Sequence, residues 1–372
     1  MANDFTASVI PILRAQMDTI FKSQATVNPE LTKEPIAAAF ALQKQTVSLD
    51  PLKSGLQDAC TGVRVIYNVA DDTAVPTMHA TAQDSTCSLT TGDGLSTAYH
   101  DFDFNLFSKE AIKVNDKDCA NFVKFMERSA FLLAHKMSMM VQSFNAQVVT
   151  HLEANKSTVS ASDLPDGVTV PASGNYTIAT AGAWSGLAAA DTLATLDQLA
   201  RVRGLPNNYY IISGKALRVP ADIATDHAAN DNERSYHISF LRRDIAFDED
   251  QITGDYLYLV DPNAVVSYFL STYPAEGQSM GDKDNTTVFS LPLQYYSDYQ
   301  QGGSAMKTLQ VANAGILEDA KIDVRYQKAC NTSIARYGKP SLDHIWELDL
   351  VGLFDLVPAV GDNTGIIRVD KA

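Results

Sequence analysis

Positive charge is scarce in this chain. Its 372 residues include 29 lysines and arginines against 44 aspartates and glutamates, a net charge of −15. Proteins that grip a nucleic-acid duplex need cationic side chains to displace counterions from phosphates. A chain of this sign repels nucleic acid over most of its surface, and its densest basic cluster is the short "LRRD" at residues 241–244. Cysteine is also sparse: Cys60, Cys87, Cys119 and Cys330. None forms a CxxC pair, which excludes the zinc-ribbon and thioredoxin patterns. Four reduced, mostly buried thiols are expected. No apolar run reaches 18 residues, the minimum for a membrane-spanning helix. The opening "MANDFTASVIPILRAQ" lacks the basic and apolar regions of a signal peptide. The expectation is a protein made and kept in a cytoplasm, with no membrane partner. The sequons at Asn155, Asn175, Asn285 and Asn331 then read as chance matches.

Catalytic signatures are missing too. The chain has no G-x-G-x-x-G, no G-x-x-x-x-G-K-[ST], no H-E-x-x-H and no G-x-S-x-G. "DEDQITGD" from Asp248 resembles a calcium loop, but Gly254 comes one place late and no terminal Glu follows in register. It reads as a solvated acidic loop, and "GDKDNTT" fails likewise. His79, His100, His135, His151, His227 and His237 are scattered. Cys119 and His135 stand over four helical turns apart, too far for a nucleophile pair. Asp101 and Asp103 share one strand face, whereas glycosidase carboxylates face each other across a cleft. Met137, Met139 and Met140 read as core filling. Tyr256, Tyr258, Tyr268, Tyr273, Tyr295, Tyr296 and Tyr299 read as buried or interfacial packing. No catalytic residue, cofactor site or metal site is expected.

What is present is one very long helical pattern. "CANFVKFMERSAFLLAHKMSMMVQSFNAQVV", from Cys119 to Val149, contains neither Gly nor Pro. With its flanks it predicts a helix over about Asp116 to Ala154, roughly 57 Å at 1.5 Å per residue. Phe122, Met126, Leu133, Met137, Met140, Phe144, Val148 and Leu152 form an apolar stripe, widened by Val123, Leu132 and Val141. Strict heptads are absent, so the stripe suits a helix lying across a sheet rather than a coiled coil.

The surroundings divide into segments. Val9, Leu13, Met17, Ile20 and Phe21 predict a first helix capped by Ser8. Pro29, Pro35 and Pro51 break the next stretch into an arm with short helical pieces. Val63, Val65, Tyr67 and Val69 alternate, as do Phe102, Phe104 and Leu106 against Asp101, Asp103 and Asn105. Residues 61–112 therefore predict a long two-stranded excursion. Turns are expected at Pro165-Asp166-Gly167 and Ser173-Gly174-Asn175, with short strands between. A helix over Ala188 to Val202 should end at Gly204. Strands are expected at "NNYYIISG" and Tyr256–Val260, with helices at "ALRVPADIAT" and "NAVVSYFLSTYP". Long strands close the chain, with Trp346, Leu348, Leu350 and Gly352 on one face.

In its order of parts the chain resembles the major capsid proteins of tailed bacteriophages, the Hong Kong 97-type fold. The segments that carry the resemblance are the helix over about Asp116–Ala154, "NNYYIISGKALRV", "YLYLVDPNAVVSYF" and the closing "IDVRYQKACN…HIWELDLVGLFDLVP". It implies an α+β chain with an N-terminal arm (1–60), an extended loop formed as a β-hairpin (61–112), and a peripheral domain with spine helix and following hairpin (113–187). A compact α/β axial domain (188–303) and peripheral-domain closing strands (304–372) would complete it. The implied function is a structural protein without enzymatic activity. It would self-assemble as pentamers and hexamers into the icosahedral head shell, enclosing double-stranded DNA without reading its sequence. A scaffolding protein, a portal and decoration proteins are the implied partners, and the virion its place after assembly in the host cytoplasm. Covalent Lys–Asn cross-linking, known in some members, has no assignable pair here. Bacterial nanocompartment shell proteins share this fold and are the structural alternative. An acidic cytosolic enzyme is the alternative from a different class.

Overall fold

The computed structural model describes residues 9–23, 33–46, 62–70, 95–115, 122–172, 174–178, 188–217, 244–272, 280–281, 286–297, 313–336, 339–357 and 363–371. The helices are α1 (Val9–Ser23), α2 (Ile36–Lys44), α3 (Phe122–Ala154) and α4 (Ala188–Val202). The strands are β1 (Gly62–Ala70), β2 (Leu95–Asp103), β3 (Leu106–Asn115), β4 (Val168–Thr169), β5 (Tyr176–Ile178), β6 (Tyr210–Ser213) and β7 (Asp244–Phe247). They continue with β8 (Tyr256–Val260), β9 (Val265–Leu270), β10 (Met280–Gly281), β11 (Thr286–Ser297), β12 (Asn313–Arg336), β13 (Lys339–Leu356) and β14 (Ile366–Lys371). The chain is α+β, as expected. It forms two compact units, one of Met1–Ser48 with Asn105–Ala372, the other Leu49–Phe104.

The smaller unit contains one antiparallel hairpin, β1 with β2, in register from Gly62 opposite Asp103 to Ala70 opposite Leu95. Alternation of apolar and polar residues continues through "HDFDFNLF", yet the strand does not. It stops at Asp103 and restarts at Leu106 as β3, which pairs with β13. The expected excursion over 61–112 thus ends earlier, because residues 106–115 take their backbone partners from β13.

In the larger unit, α3 runs unbroken for 33 residues, about 50 Å. Met126, Leu133, Met137, Met140, Val141, Phe144, Val148 and Leu152 are buried as the stripe predicts. The side chains of Phe122 and Val123, and residues 116–121, lie outside the described part. Met139 does not belong to the core; it is 47% exposed, while Met137 and Met140 are buried. In α1, Leu13, Met17 and Ile20 are buried as expected, and Ser8 is outside the described residues. The helix α1 packs on α3, β11 and β12.

Beneath α3 lies an antiparallel sheet in the order β10-β11-β12-β13-β3. Trp346, Leu348 and Leu350 of β13 are buried on the core side, while Ile345, Glu347, Asp349 and Val351 are partly exposed. The register of β11 and β12 slips after Pro292, which pairs with Lys321 while Leu293 pairs with Leu317. Proline has no N–H for the ladder and is tolerated at such irregularities. Where β12 leaves β13 at Asp349, β9 takes over from Val351. Residues 265–270 are therefore a strand, not the helix expected from "NAVVSYFLSTYP". Two adjacent β-branched residues and a waiting edge on β13 outweigh an apolar run that periodicity alone leaves ambiguous.

A second six-stranded sheet has the order β4-β5-β14-β8-β6-β7, with β6–β7 and β5–β14 parallel. It is buried on both faces. Tyr210, Ile212, Tyr258, Val260 and Ile366 join the core that contains α3. Their neighbours Ile211, Leu257, Leu259, Ile367 and Val369 pack with Leu193, Leu196 and Leu199 of α4. Residues 188–303 do not make this module alone: β4, β5 and β14 come from outside that range, and β9 to β11 pair in the other sheet. The last strand, β14, accordingly does not belong with the closing strands of β13's sheet. Gly167, at φ 84°, forms the expected turn before β4. Gly204, at φ 74°, ends α4. The Gly204 N–H donates to Arg201 O and the Leu205 N–H to Ala200 O, the paired bonds of a Schellman motif. The "ALRVPADIAT" helix amounts, among the described residues, to one 3-10 turn at Lys215–Leu217.

Leu133 sits mid-helix and is essentially inaccessible to solvent. Leu133→Ala should lower stability by about 2–5 kcal/mol, read from urea unfolding of the full chain. Met139→Ala, on the same helix but exposed, should stay within about 0.5 kcal/mol of the parent.

Candidate assembly elements and their polar clamps

The helix α2 begins at Pro35, which offers no side-chain cap. Its first N–H groups would be orphans in a buried setting. Two residues distant in sequence satisfy them. The Ala37 N–H donates to Asp248 Oδ2 at 3.0 Å, and the Ala38 N–H donates to Asn145 Oδ1 at 2.8 Å. Asn145 Nδ2 donates to Asp248 Oδ2 at 2.7 Å, and the Gln251 N–H donates to Asp248 Oδ1 at 3.0 Å. Asp248 is 1% exposed and Asn145 fully buried. The carboxylate that opens "DEDQITGD" is thus not a solvated loop residue. It caps a helix 211 residues away, and its charge also complements that helix's positive end. Small residues Ala37, Ala38 and Ala41, all buried, let α2 come close to α3.

The other end of α2 is held by a side chain that imitates a strand. Gln45 Oε1 accepts from the Ser267 N–H at 3.0 Å and from Ser267 Oγ at 2.5 Å; its Nε2 donates to Ser267 O at 3.5 Å. Asn105 does the same to β13. Its Oδ1 accepts from the Phe354 N–H at 2.9 Å, its Nδ2 donates to Phe354 O at 2.8 Å, and its N–H donates to Gly352 O at 3.1 Å. Asn105 therefore pins the point where the chain enters the larger unit.

The ends of α3 are fixed differently. Near its start, the Phe125 ring lies 4.3 Å from the His344 ring, centroid to centroid, and His344 Nδ1 lies 2.5 Å from the Tyr326 hydroxyl. Burial pushes that phenol's pKa up. Midway, Lys136 Nζ donates to Glu110 Oε2 of β3 at 2.7 Å. Near its end, Glu153 accepts from Tyr258 Oη at 2.7 Å, Arg368 Nη1 at 2.8 Å and Lys156 Nζ at 2.7 Å. Burial raises the Glu153 pKa, but these three donors and the Arg368 charge outweigh it and hold the carboxyl below its ordinary range. Arg368 Nε also donates to Asp370 Oδ1 at 2.8 Å, and its guanidinium lies 4.1 Å from the centre of the Tyr256 ring.

Of the histidines weighed from sequence, His79, His227 and His237 lie outside the described residues. His135 stacks on Phe131, and His100 meets Phe102 edge-on. His344, which sequence reasoning passed over, is buried and packs against the rings of Phe125 and Tyr326. Its signal was its place on the alternating buried face of β13, two residues before Trp346. Cys60, Cys87 and Cys119 lie outside the described residues, as does the Cys330 side chain. Tyr273, Tyr299 and the Tyr296 side chain lie there too. Among the described residues, no group of three or more His, Cys, Asp or Glu could hold a metal. No helix among them is long and apolar enough to cross a membrane.

No family model matches the chain, and no curated protein matches it. Solved phage structures do. A chain from the Cyanophage A-1(L) capsid asymmetric unit is 10% identical with a TM-score of 0.41, covering 91% of this chain and 93% of its own. One from Mycobacterium phage Bobi is 10% identical with a TM-score of 0.41, covering 94% of each. One from the capsid of Myoviridae phage XM1 is 10% identical with a TM-score of 0.37, covering 92% of this chain and 94% of its own.

Asp248→Ala would strand the Ala37 N–H and Asn145 Nδ2 in a dry site, at a cost of roughly 1–3 kcal/mol for each unmet group. Limited proteolysis should then cut near residue 46 well before the rest of the chain. Asp250→Ala, two residues on and exposed, should leave the digestion pattern unchanged.

Proposed function

We propose that this chain is the major capsid protein of a tailed phage. Copies of it assemble as pentamers and hexamers into an icosahedral shell that encloses double-stranded DNA without reading its sequence. The observation that carries this reading is the 33-residue helix α3 laid along a six-stranded sheet, set in a particular chain order. Before it come arm helices and a separate hairpin unit; after it come a compact sheet with its own helix, then strands of 24 and 18 residues. That is the order implied by the capsid resemblance. In these terms α3 is the spine and β1–β2 belong to the extended loop. The sheet around β8 is the core of the axial domain, and the sheet around β13 is the peripheral domain.

The hairpin supports the same reading. Among the described residues its sheet has two strands, and an isolated two-stranded hairpin is marginal in water. A neighbouring copy supplies the surface that stabilises it. Repeated contacts of this heterologous kind close into rings and shells, and permanent interfaces of this sort bury about 2,000–5,000 Å². The negative charge suits a container that must not adhere to its DNA. A scaffolding protein that guides assembly in the host cytoplasm, a portal and decoration proteins complete the expected partners, and the virion is the final location.

Electron microscopy of the purified full chain, alone and co-expressed with a scaffolding protein, tests the proposal. Rings of five and six subunits and closed shells are the expected result, with double-stranded DNA in particles taken from infected cells. A monodisperse, compact monomer at high concentration would contradict it, and shells filled with protein cargo would move the assignment to a nanocompartment.

A further inference from the structure

His151 occupies the last turn of α3, three residues before that helix ends. Its ring meets Phe354 of β13 edge-on at 5.2 Å. The imidazole Nε2 is buried and makes no hydrogen bond. Asp355 Oδ1, on the next residue of β13, stands 3.9 Å from it, beyond hydrogen-bonding range. That oxygen accepts instead from the Leu356 N–H at 2.8 Å.

The other charged groups nearby are committed elsewhere. Glu153, on the same helical turn, is turned to Lys156, Tyr258 and Arg368 of β14. The strand β9, which packs on this part of α3 through the Phe144–Phe269 contact, carries no carboxylate or cation, and its one titratable group is Tyr268. Among the described residues, Asp355 is the one carboxylate within 4 Å of the imidazole. It attracts an added proton, but burial opposes the proton more strongly, and the balance leaves His151 below the ordinary histidine pKa.

We propose that His151 is a proton-sensitive joint between the end of α3 and the end of β13, neutral when the two are packed and loosened when the ring is protonated. A group whose folded pKa is lowered contributes its full stabilisation above its unfolded value, about 6.5. That contribution drains away as pH falls through about 6.5 toward the folded value. The uncharged ring packs well on Phe354. The imidazolium must either sit in a site that solvates it poorly or draw Asp355 off the Leu356 N–H. Both courses disturb the end of β13, where β9 and β13 pair.

Hydrogen–deuterium exchange at histidine Cε1, read by mass spectrometry on the full chain from about pH 4.5 to about pH 8.5, gives the titration midpoint of His151 directly. The midpoint should fall below about 6.5, and Asp355→Asn should lower it further by removing a favourable charge. In parallel, lowering the pH from about 7.5 to about 5.5 should depress the melting temperature of the parent more than that of His151→Gln, whose amide does not titrate. A midpoint at or above about 6.5 would overturn the proposal, as would equal acid sensitivity of parent and His151→Gln.

Discussion

The larger unit is organised by a helix and a strand of matched length running the same way. Phe125 of α3 meets His344 of β13, and nineteen residues on, Phe144 meets Phe354, ten residues further along the strand. Nineteen helical residues rise about 29 Å, and ten strand residues rise about 33 Å. The two elements therefore keep pace with each other between these two contacts. This match explains why the helix needs an uninterrupted run with neither Gly nor Pro. A break at any turn would put every later side chain out of step with the strand beneath it.

The rest of the unit hangs on that pair. The last turn of the helix touches both sheets, meeting Phe354 of β13 through His151 and Tyr258 and Arg368 of the second sheet through Glu153. Along its flank, α1 adds Leu13, Met17 and Ile20 to the shared core, and α2 is riveted through Asn145 and Asp248. These rivets are polar because they close the ends of elements, where backbone groups lack partners. Gln45 and Asn105 solve the same problem at strand edges, each lending a side-chain amide where a further strand would otherwise bond. An edge treated in this way is closed to unwanted pairing, a useful property in a chain proposed to crowd against many copies of itself.

Legibility in the sequence tracked how local each determinant was. The helix α3 could be read because its signal is internal: stripe spacing and the lack of breakers. The buried face of β13 could be read from Trp346, Leu348 and Leu350 for the same reason, and the Gly204 terminus from one residue type. The strand β9 was misread as a helix because "VVSYFL" has no period of its own and acquires its state from β13, far later in the chain. The interruption at Asn105 was invisible because burial alternates straight through it while only the hydrogen-bonding partner changes. Asp248 looked like a loop carboxylate because nothing local indicates that the start of α2 will be laid against it. The sheet membership of β14 was hidden likewise, since pairing with β5 and β8 is set by the packed whole.

Native-state hydrogen exchange of backbone amides, carried out on the full chain, tests most directly whether α3 is the shared beam. If it is, amides from about residue 130 to 150 exchange only through global unfolding and match the slowest amides of both β13 and β8 in rate and denaturant dependence. Exchange of α3 through a smaller opening, while β6 and β8 keep their protection, would show that the second sheet stands without the helix and would contradict the account.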